Sequence, residues 1–577
     1  MPSSDTYDII IAGGGTAGCV IAGRLATADA TLNILVVEAG PNTRDDPLHT
    51  QPSRYLHHLR PDSTTVKFNV AYLLLQCETY QIERGKPTHG YVGPLKISYG
   101  GFYPEVGQEF LNVAAQYDKA RGLTDDVNDM FECNKYGRWP KWIDMKTGTR
   151  SDVPHHYIYP QSSNENLRIL TGYQVKRVIF EGNMATGVEY VPTKRFHPDA
   201  KSDTLIAKAK RLIVLSAGTF GSPAILERSG LGSSAVLEKI GVQQLVDLPG
   251  VGENYQDHQL ILAPYWAADT MHTLDAVAQD NVEEIEKWTE QWKENGTGML
   301  ATNGLESGIK IRPFKRDLDI IGPDFRKRWL DYYAHSPDKA VAWMGSMSML
   351  TGERPNVPRA KFFAVGWYLE HPMSIGYLHA TSADNVDALA DFHPGYLDMP
   401  ADMALHKWSY KRTREFARRM PSYRGEVAVR HPAFNAIGEA AAGDKQGPVP
   451  ALAPDINYSP EDEQAIEDYI RQAVATAWHS MGTCGMKKRE DGGVVDARLN
   501  VYGLEGLKIA DMSICPSNVA AVSTYAHFTE SVGLELKRWM ENTYSTAVVI
   551  GEKAAVIIAE ELGIPMEDTA VEARPGL

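Results

Sequence analysis

Cysteine is scarce in this chain and badly placed for bonding. The 577 residues hold only 5 cysteines, Cys19, Cys77, Cys133, Cys484 and Cys515, an odd number with no CxxC pair. That spacing argues against a disulfide framework or a zinc site and predicts a reducing compartment. Long apolar runs are missing too: none reaches the roughly 18 residues that a membrane span needs. The N-terminus, "MPSSDTYDIIIAGGG", enters a strand-like run with no basic segment before it, so no secretory leader is expected. Positive charge is in deficit, with 58 Lys and Arg against 73 Asp and Glu, a net charge of −15. No basic stripe with interleaved aromatics stands out, which argues against a nucleic-acid partner. There is no G-x-S-x-G elbow and no HExxH, which disfavours hydrolase chemistry. His155 and His156 have no further ligands in register, so no metal site is expected. The final "ARPGL" is not an S-K-L type address, leaving the cytoplasm as the default location.

What the chain does have begins at residue 8, with "DIIIAGGGTAGCVIAGRLATADATLNILVVEAG". A β-branched run, Ile9 to Ile11, opens into G-x-G-x-x-G with Gly13, Gly15 and Gly18. A small-residue helix and a second apolar run, Ile34 to Val37, lead to Glu38, 20 residues after Gly18. Each glycine has a separate task. Gly13 permits the tight turn, Gly15 lets a pyrophosphate approach the backbone, and Gly18 lets helix pack on strand. The helix N-terminus offers free N–H groups to the anion, and the acid can accept from ribose hydroxyls. Strand, glycines, helix and acid together predict a dinucleotide site using Gly13, Gly15, Thr16, Ala17, Gly18 and Glu38. An acid in that place argues against a 2′-phosphate. It does not separate NAD from FAD, so a nicotinamide-dependent dehydrogenase stays open at this point.

Later segments carry a resemblance. "RLIVLSAGTFGSPAILERSGLG" contains Gly218, Ser222, Pro223, Ser229, Gly230 and Gly232, and "LPGVGENYQDH" follows at 248–258. Near the C-terminus "ATAWHSMGTCGM" carries His479 and "NVYGLEGLKIADMSICP" carries Asp511. These stretches resemble the glucose–methanol–choline (GMC) flavoprotein oxidoreductases. "NGTGMLATNGLESGIKIRP", "WSYKRTREFARRM" and "HGYVGPLKISYG" resemble the alcohol (methanol) oxidase branch. The resemblance implies an α/β fold: a Rossmann-like FAD-binding domain with a discontinuous α+β substrate domain built on an antiparallel sheet. The expected FAD-binding parts are 1–68, 164–260 and 477–577, and the substrate parts are 69–163 and 261–476. It implies FAD as cofactor, with Val175, Asp511 and Thr543 near it. It also implies a primary alcohol as substrate, O2 or another electron acceptor as partner, and a peroxisome as a second possible location.

The chemistry expected of such a site is removal of a hydroxyl proton while hydride leaves carbon for the flavin. An imidazole suits the first task, because its ordinary pKa near 6.5 lies close to working pH. The resemblance implies His479 as that base and Asn542 as the partner that orients the hydroxyl.

Two stretches depart from the family pattern. Family members carry a glycine-rich flavin loop after the first βαβ unit, and this chain passes from Phe68 to Tyr80 without it. The segment Val522 to Glu541, "VSTYAHFTESVGLELKRWME", separates "SNVAA" from "NTYSTAVV", which the family joins directly. An in-frame retained intron is one expectation for the second. A catalytically impaired relative, holding FAD weakly or not at all, is the alternative that both departures raise.

Overall fold

The computed structural model describes residues 6–59, 77–86, 88–129, 133–200, 204–352, 360–441, 443, 446–518 and 543–566. The junction from Phe68 to residue 76, the 522–541 segment and Asn542 lie outside the described residues.

Strands β1 (Thr6–Ala12) and β2 (Ile34–Glu38) pair in parallel, Ile9 opposite Ile34 and Ile11 opposite Val36. Both are apolar on both faces because the sheet is covered on both sides, so the run does not alternate. Four more strands extend the sheet: β3 (Leu167–Thr171), β4 (Tyr173–Glu181), β5 (Met184–Pro192) and β6 (Leu205–Leu215). The order is β3-β2-β1-β6-β5-β4, and the short strand Leu507–Ile509 also pairs with β6. Parallel pairing holds from β3 to β6, while β4 and β5 form an antiparallel hairpin turning at Gly182, φ +64. Strand β1 therefore lies between strands added on opposite sides, the kind of switch point beyond whose C-terminal end ligands bind.

Helix α1 (Thr16–Ala28) follows the glycine turn and packs against α3 (Thr543–Leu562), near the C-terminus; α2 (Gly218–Arg228) follows β6. The α1–α3 approach is close. A Cβ on Gly551 would fall 2.8 Å from Val20 Cβ and 3.0 Å from the Ala17 carbonyl oxygen.

A second seven-stranded sheet is antiparallel throughout. Its main strands are β7 (Gln259–Ala267), β8 (Leu305–Ile311), β9 (Ala342–Met347) and β10 (Phe362–Leu369). The order runs Tyr423–Glu426, β7, β10, β9, β8, Tyr136–Arg138, with Ala475–Thr476 also paired to β7. Alternate residues serve different faces. Ile261, Ala263, Tyr265, Ile309, Met344, Val365 and Trp367 enter a core shared with the helices Glu105–Tyr117 and Pro400–Ala417. Leu260, Leu262, Trp343, Met347 and Tyr368 turn the other way, toward a cavity between the two sheets.

Residues 77–158 divide between the two cores. Cys77, Tyr80, Leu95, Ile97, Trp142 and Tyr157 join the parallel-sheet core, whereas Val106, Phe110 and Tyr136 join the antiparallel one. Among the described residues, no helix is long and apolar enough to cross a membrane.

Candidate active site

The glycine turn is built by three different steric demands. Gly13 has φ +109, and a Cβ there would sit 2.3 Å from the Ser216 carbonyl oxygen. A Cβ on Gly18 would sit 2.1 Å from the Gly13 carbonyl oxygen. Gly15 has ordinary extended backbone and nothing within 4 Å of its missing Cβ. That open space is where a ligand can approach the main chain. Glu38 closes the turn: its two carboxylate oxygens accept from Gly14 N–H and Gly40 N–H, each at 2.6 Å.

A cavity of about 910 Å³ runs from this turn to the antiparallel sheet. Gly14, Gly15, Thr16 and Glu38 line one end, and Ala477, Trp478 and His479 line the other. Beneath the lining, Gly13, Ala17 and Gly18 shape the turn. Val175 is buried, and the adjacent Gln174 reaches the cavity. Thr543 is likewise buried, with Tyr544 and Ser545 forming the wall.

Asp511 is buried. It does not line the cavity; its carboxylate accepts from Gly218 N–H at 3.0 Å, Ser222 Oγ at 2.6 Å and Ser513 N–H at 2.8 Å. It caps the start of α2 and ties that helix to the C-terminal segment. Buried acids need such donors, and this one has spent its oxygens on backbone and hydroxyl groups.

His479 is aimed by a strained turn. Trp478 has φ +59, a conformation costing on the order of 1–3 kcal/mol for a bulky residue. Its N–H donates to Thr476 Oγ1 at 2.7 Å. The buried Asp257 then accepts from Thr476 Oγ1 at 2.5 Å and from His479 N–H at 3.0 Å, as well as from the Tyr255 and Tyr396 hydroxyls. One carboxylate thus holds the Thr476 hydroxyl on one side of the strained residue and the His479 backbone on the other.

The imidazole of His479 meets a second imidazole. Its Nδ1 lies 2.7 Å from His258 Nδ1, with the two rings nearly perpendicular at 89°. Burial pushes His258 down to about 4, and burial together with His258 holds His479 well below its ordinary range. Both rings are therefore neutral at physiological pH, and one donates to the other. His258 ends the quoted "YQDH" stretch, but nothing in its spacing announces a partner 221 residues away.

Among the described residues one group has the make-up of a metal site: His49, Asp152 and His155. Its hydrogen bonds favour an ion pair. His155 Nδ1 donates to Asp152 at 2.8 Å and Nε2 donates to the Arg44 carbonyl at 2.9 Å, so both nitrogens carry protons. Contacts with both histidines hold the Asp152 acid far below the usual carboxylate range despite its burial.

Residues 91–260 match the N-terminal domain of the GMC oxidoreductases, and residues 372–528 match the C-terminal domain. An alcohol oxidase of Pichia angusta is 34% identical over 669 aligned positions, covering 98% of this chain and 97% of that one. The chain belongs to the GMC oxidoreductase family. Another family member, an alcohol oxidase of Candida boidinii, is 33% identical over 98% of this chain and 96% of its own. Two solved structures share the fold of this GMC oxidoreductase. One is an FAD-dependent oxidoreductase from Chaetomium thermophilum, with TM-score 0.74 and 21% identity over 97% of this chain and 100% of that one. The other, an Aspergillus oryzae formate oxidase variant, has TM-score 0.75 and 19% identity over 97% and 99%. The aligned length in the Pichia comparison exceeds the 577 residues of this GMC chain, so that relative carries residues with no counterpart here.

Proposed function

We infer that this chain is an FAD-dependent alcohol oxidoreductase, converting a primary alcohol to an aldehyde with dioxygen as the final acceptor. One observation carries the reading: a single cavity has the glycine turn and Glu38 at one end and the His479–His258 pair at the other. The open space over Gly15 suits a pyrophosphate, and Glu38 suits a ribose, so the residues present fit the ADP half of FAD. FAD, when bound, supplies the acceptor for the hydrogen that leaves carbon with its electron pair.

The protein's own contribution is proton handling. For His479 to accept the hydroxyl proton at Nε2, its own hydrogen must sit on Nδ1 and be donated to His258 Nδ1. His258 then carries its hydrogen on Nε2. The imidazolium formed on His479 keeps that hydrogen bond, now charge-assisted and stronger. His479 is the catalytic base in this reading, and Asn542 remains our assignment for the group that orients the hydroxyl.

Anaerobic mixing of the FAD-loaded protein with a primary alcohol tests it. Bleaching of the flavin band in the wild type, and its loss in His479→Ala with flavin still bound, is the expected result. Equal bleaching in both removes His479 from the role.

A further inference from the structure

We propose that the alcohol is an aryl-bearing primary alcohol, bound against a wall of aromatic ring edges beside His479. The proposal rests on the alcohol oxidoreductase reading and names the substrate class of that same cavity.

The antiparallel sheet carries an uncommon cross-strand pattern on its cavity face. Gly137, Gly308, Gly345 and Gly366 stand opposite one another on four neighbouring strands, and Leu262 follows on the fifth. This row of glycines leaves a cleared lane across the sheet, and the lane is used. A Cβ on Gly308 would lie 2.6 Å from the Trp139 ring, and one on Gly345 would lie 2.7 Å from the Trp343 ring. The glycines let two indoles stand directly on the backbone.

Those indoles begin a deck of rings. Trp139 stacks on Trp343 at 5.4 Å, Trp343 on Tyr368 at 5.2 Å and 3°, and Tyr368 on His258 at 4.9 Å and 12°. Trp343 and Tyr368 each stack on two neighbours, so it is their edges that remain for the cavity they line together with Trp139. Ring edges are the positive end of the aromatic quadrupole and favour the π-face of another ring. His479 sits at the end of this deck, its ring perpendicular to Tyr368 at 5.5 Å.

The neighbouring lining mixes apolar side chains with Asn128, Asn303 and Lys141, the last with its ammonium paired to Glu306 at 2.8 Å. Leu260, Leu262, Leu305 and Met347 border the same space. Lys310 lies opposite Trp343 in register, but its ammonium donates to the Val127 carbonyl at 2.8 Å and to Asn128 at 2.9 Å. A hydroxymethyl group presented to His479 would therefore carry its ring over the edges of Tyr368 and Trp343. Methanol would leave that surface unused.

The test compares kcat/KM for 2-naphthylmethanol and methanol on the FAD-loaded enzyme in air. The aryl alcohol is expected to lead by at least about 100-fold, since even one methylene in an apolar pocket is worth about 10-fold or more. Trp343→Ala should shrink that ratio about tenfold, while Trp343→Phe should keep it within about threefold. Equal or better use of methanol by the wild type overturns the proposal, as does a ratio unmoved in a folded Trp343→Ala. Equilibrium dialysis of 2-naphthylmethanol against the wild-type flavoprotein gives an independent arm, useful if the alanine variant does not fold. Saturable uptake supports the proposal, and its absence overturns it. Aryl binding with no oxidation of any alcohol would defeat the functional reading and leave the wall standing. Methanol turnover without aryl binding would do the reverse.

Discussion

His479 and His258 share one hydrogen between their Nδ1 atoms at 2.7 Å, although they lie 221 residues apart. This contact joins the C-terminal turn to the strand that starts the antiparallel sheet. It makes His258 a positioning residue: it decides which nitrogen of His479 holds the lone pair facing the cavity.

Replacing His258 with Phe removes that control. Flavin reduction by alcohol should slow by about 10- to 100-fold, with the acid side of the kcat pH profile, where the base becomes protonated, displaced. His258→Asn can still accept from Nδ1–H and should recover part of the rate. Rapid-reaction kinetics across pH 5–10 check this, and a purely structural role would move melting temperature without moving the profile.

Gly15→Ala separates folding from cofactor binding. A Cβ at this position meets no protein atom within 4 Å, and its backbone is one that alanine adopts. Melting temperature without FAD should stay within a degree or two of the wild type, and FAD affinity should fall by about tenfold or more. Gly13→Ala, with φ +109 and a 2.3 Å backbone clash, should instead fail to fold well. Differential scanning fluorimetry and FAD titration read the two effects apart.

Glu38→Ala should both weaken FAD binding and loosen the turn, because its oxygens hold Gly14 N–H and Gly40 N–H. A charge-assisted bond of this kind contributes about 1.5–3 kcal/mol. Calorimetric titration should find FAD bound at least about tenfold less tightly.

Much of the parallel-sheet half is legible in the residues themselves. Ile9 to Ile11, the three glycines and Glu38 announce strand, turn and acid, and Gly182-Asn183 announces the hairpin of β4 and β5. The stretch "NVEEIEKWTEQWKEN" reads as a surface helix and forms one over Val282–Asn295, with Asn281 capping its start. The active site is only half legible. His479 stands inside a motif, whereas its partner His258 and the clamp Asp257 become partners only through tertiary folding. The glycine row is invisible for the same reason: Gly137, Gly308, Gly345 and Gly366 come from four strands with unrelated local sequence. Asp511 is legible as a buried acid beside a cofactor domain, but its bonds to the start of α2 emerge only from the fold.

Acid should destabilise the protein through its buried neutral histidines. His406 is buried, accepts from Trp367 Nε1–H at 2.9 Å, and is pushed down to about 3 by desolvation. In the unfolded chain it binds a proton below about pH 6.5. Between those values the unfolded state holds more protons, so stability falls as pH drops from about 6.5 toward 3. The slope from one such group is about 1.4 kcal/mol per pH unit. Urea unfolding at pH 7, 6 and 5 should be less steeply pH-dependent in His406→Gln than in the wild type.

The most direct test of the account is the visible spectrum of the purified chain after incubation with FAD and gel filtration, read before and after anaerobic addition of a primary alcohol. The account predicts a retained flavin band near stoichiometric occupancy that bleaches on mixing. Folded protein that emerges colourless, with no FAD uptake by calorimetry, would contradict it.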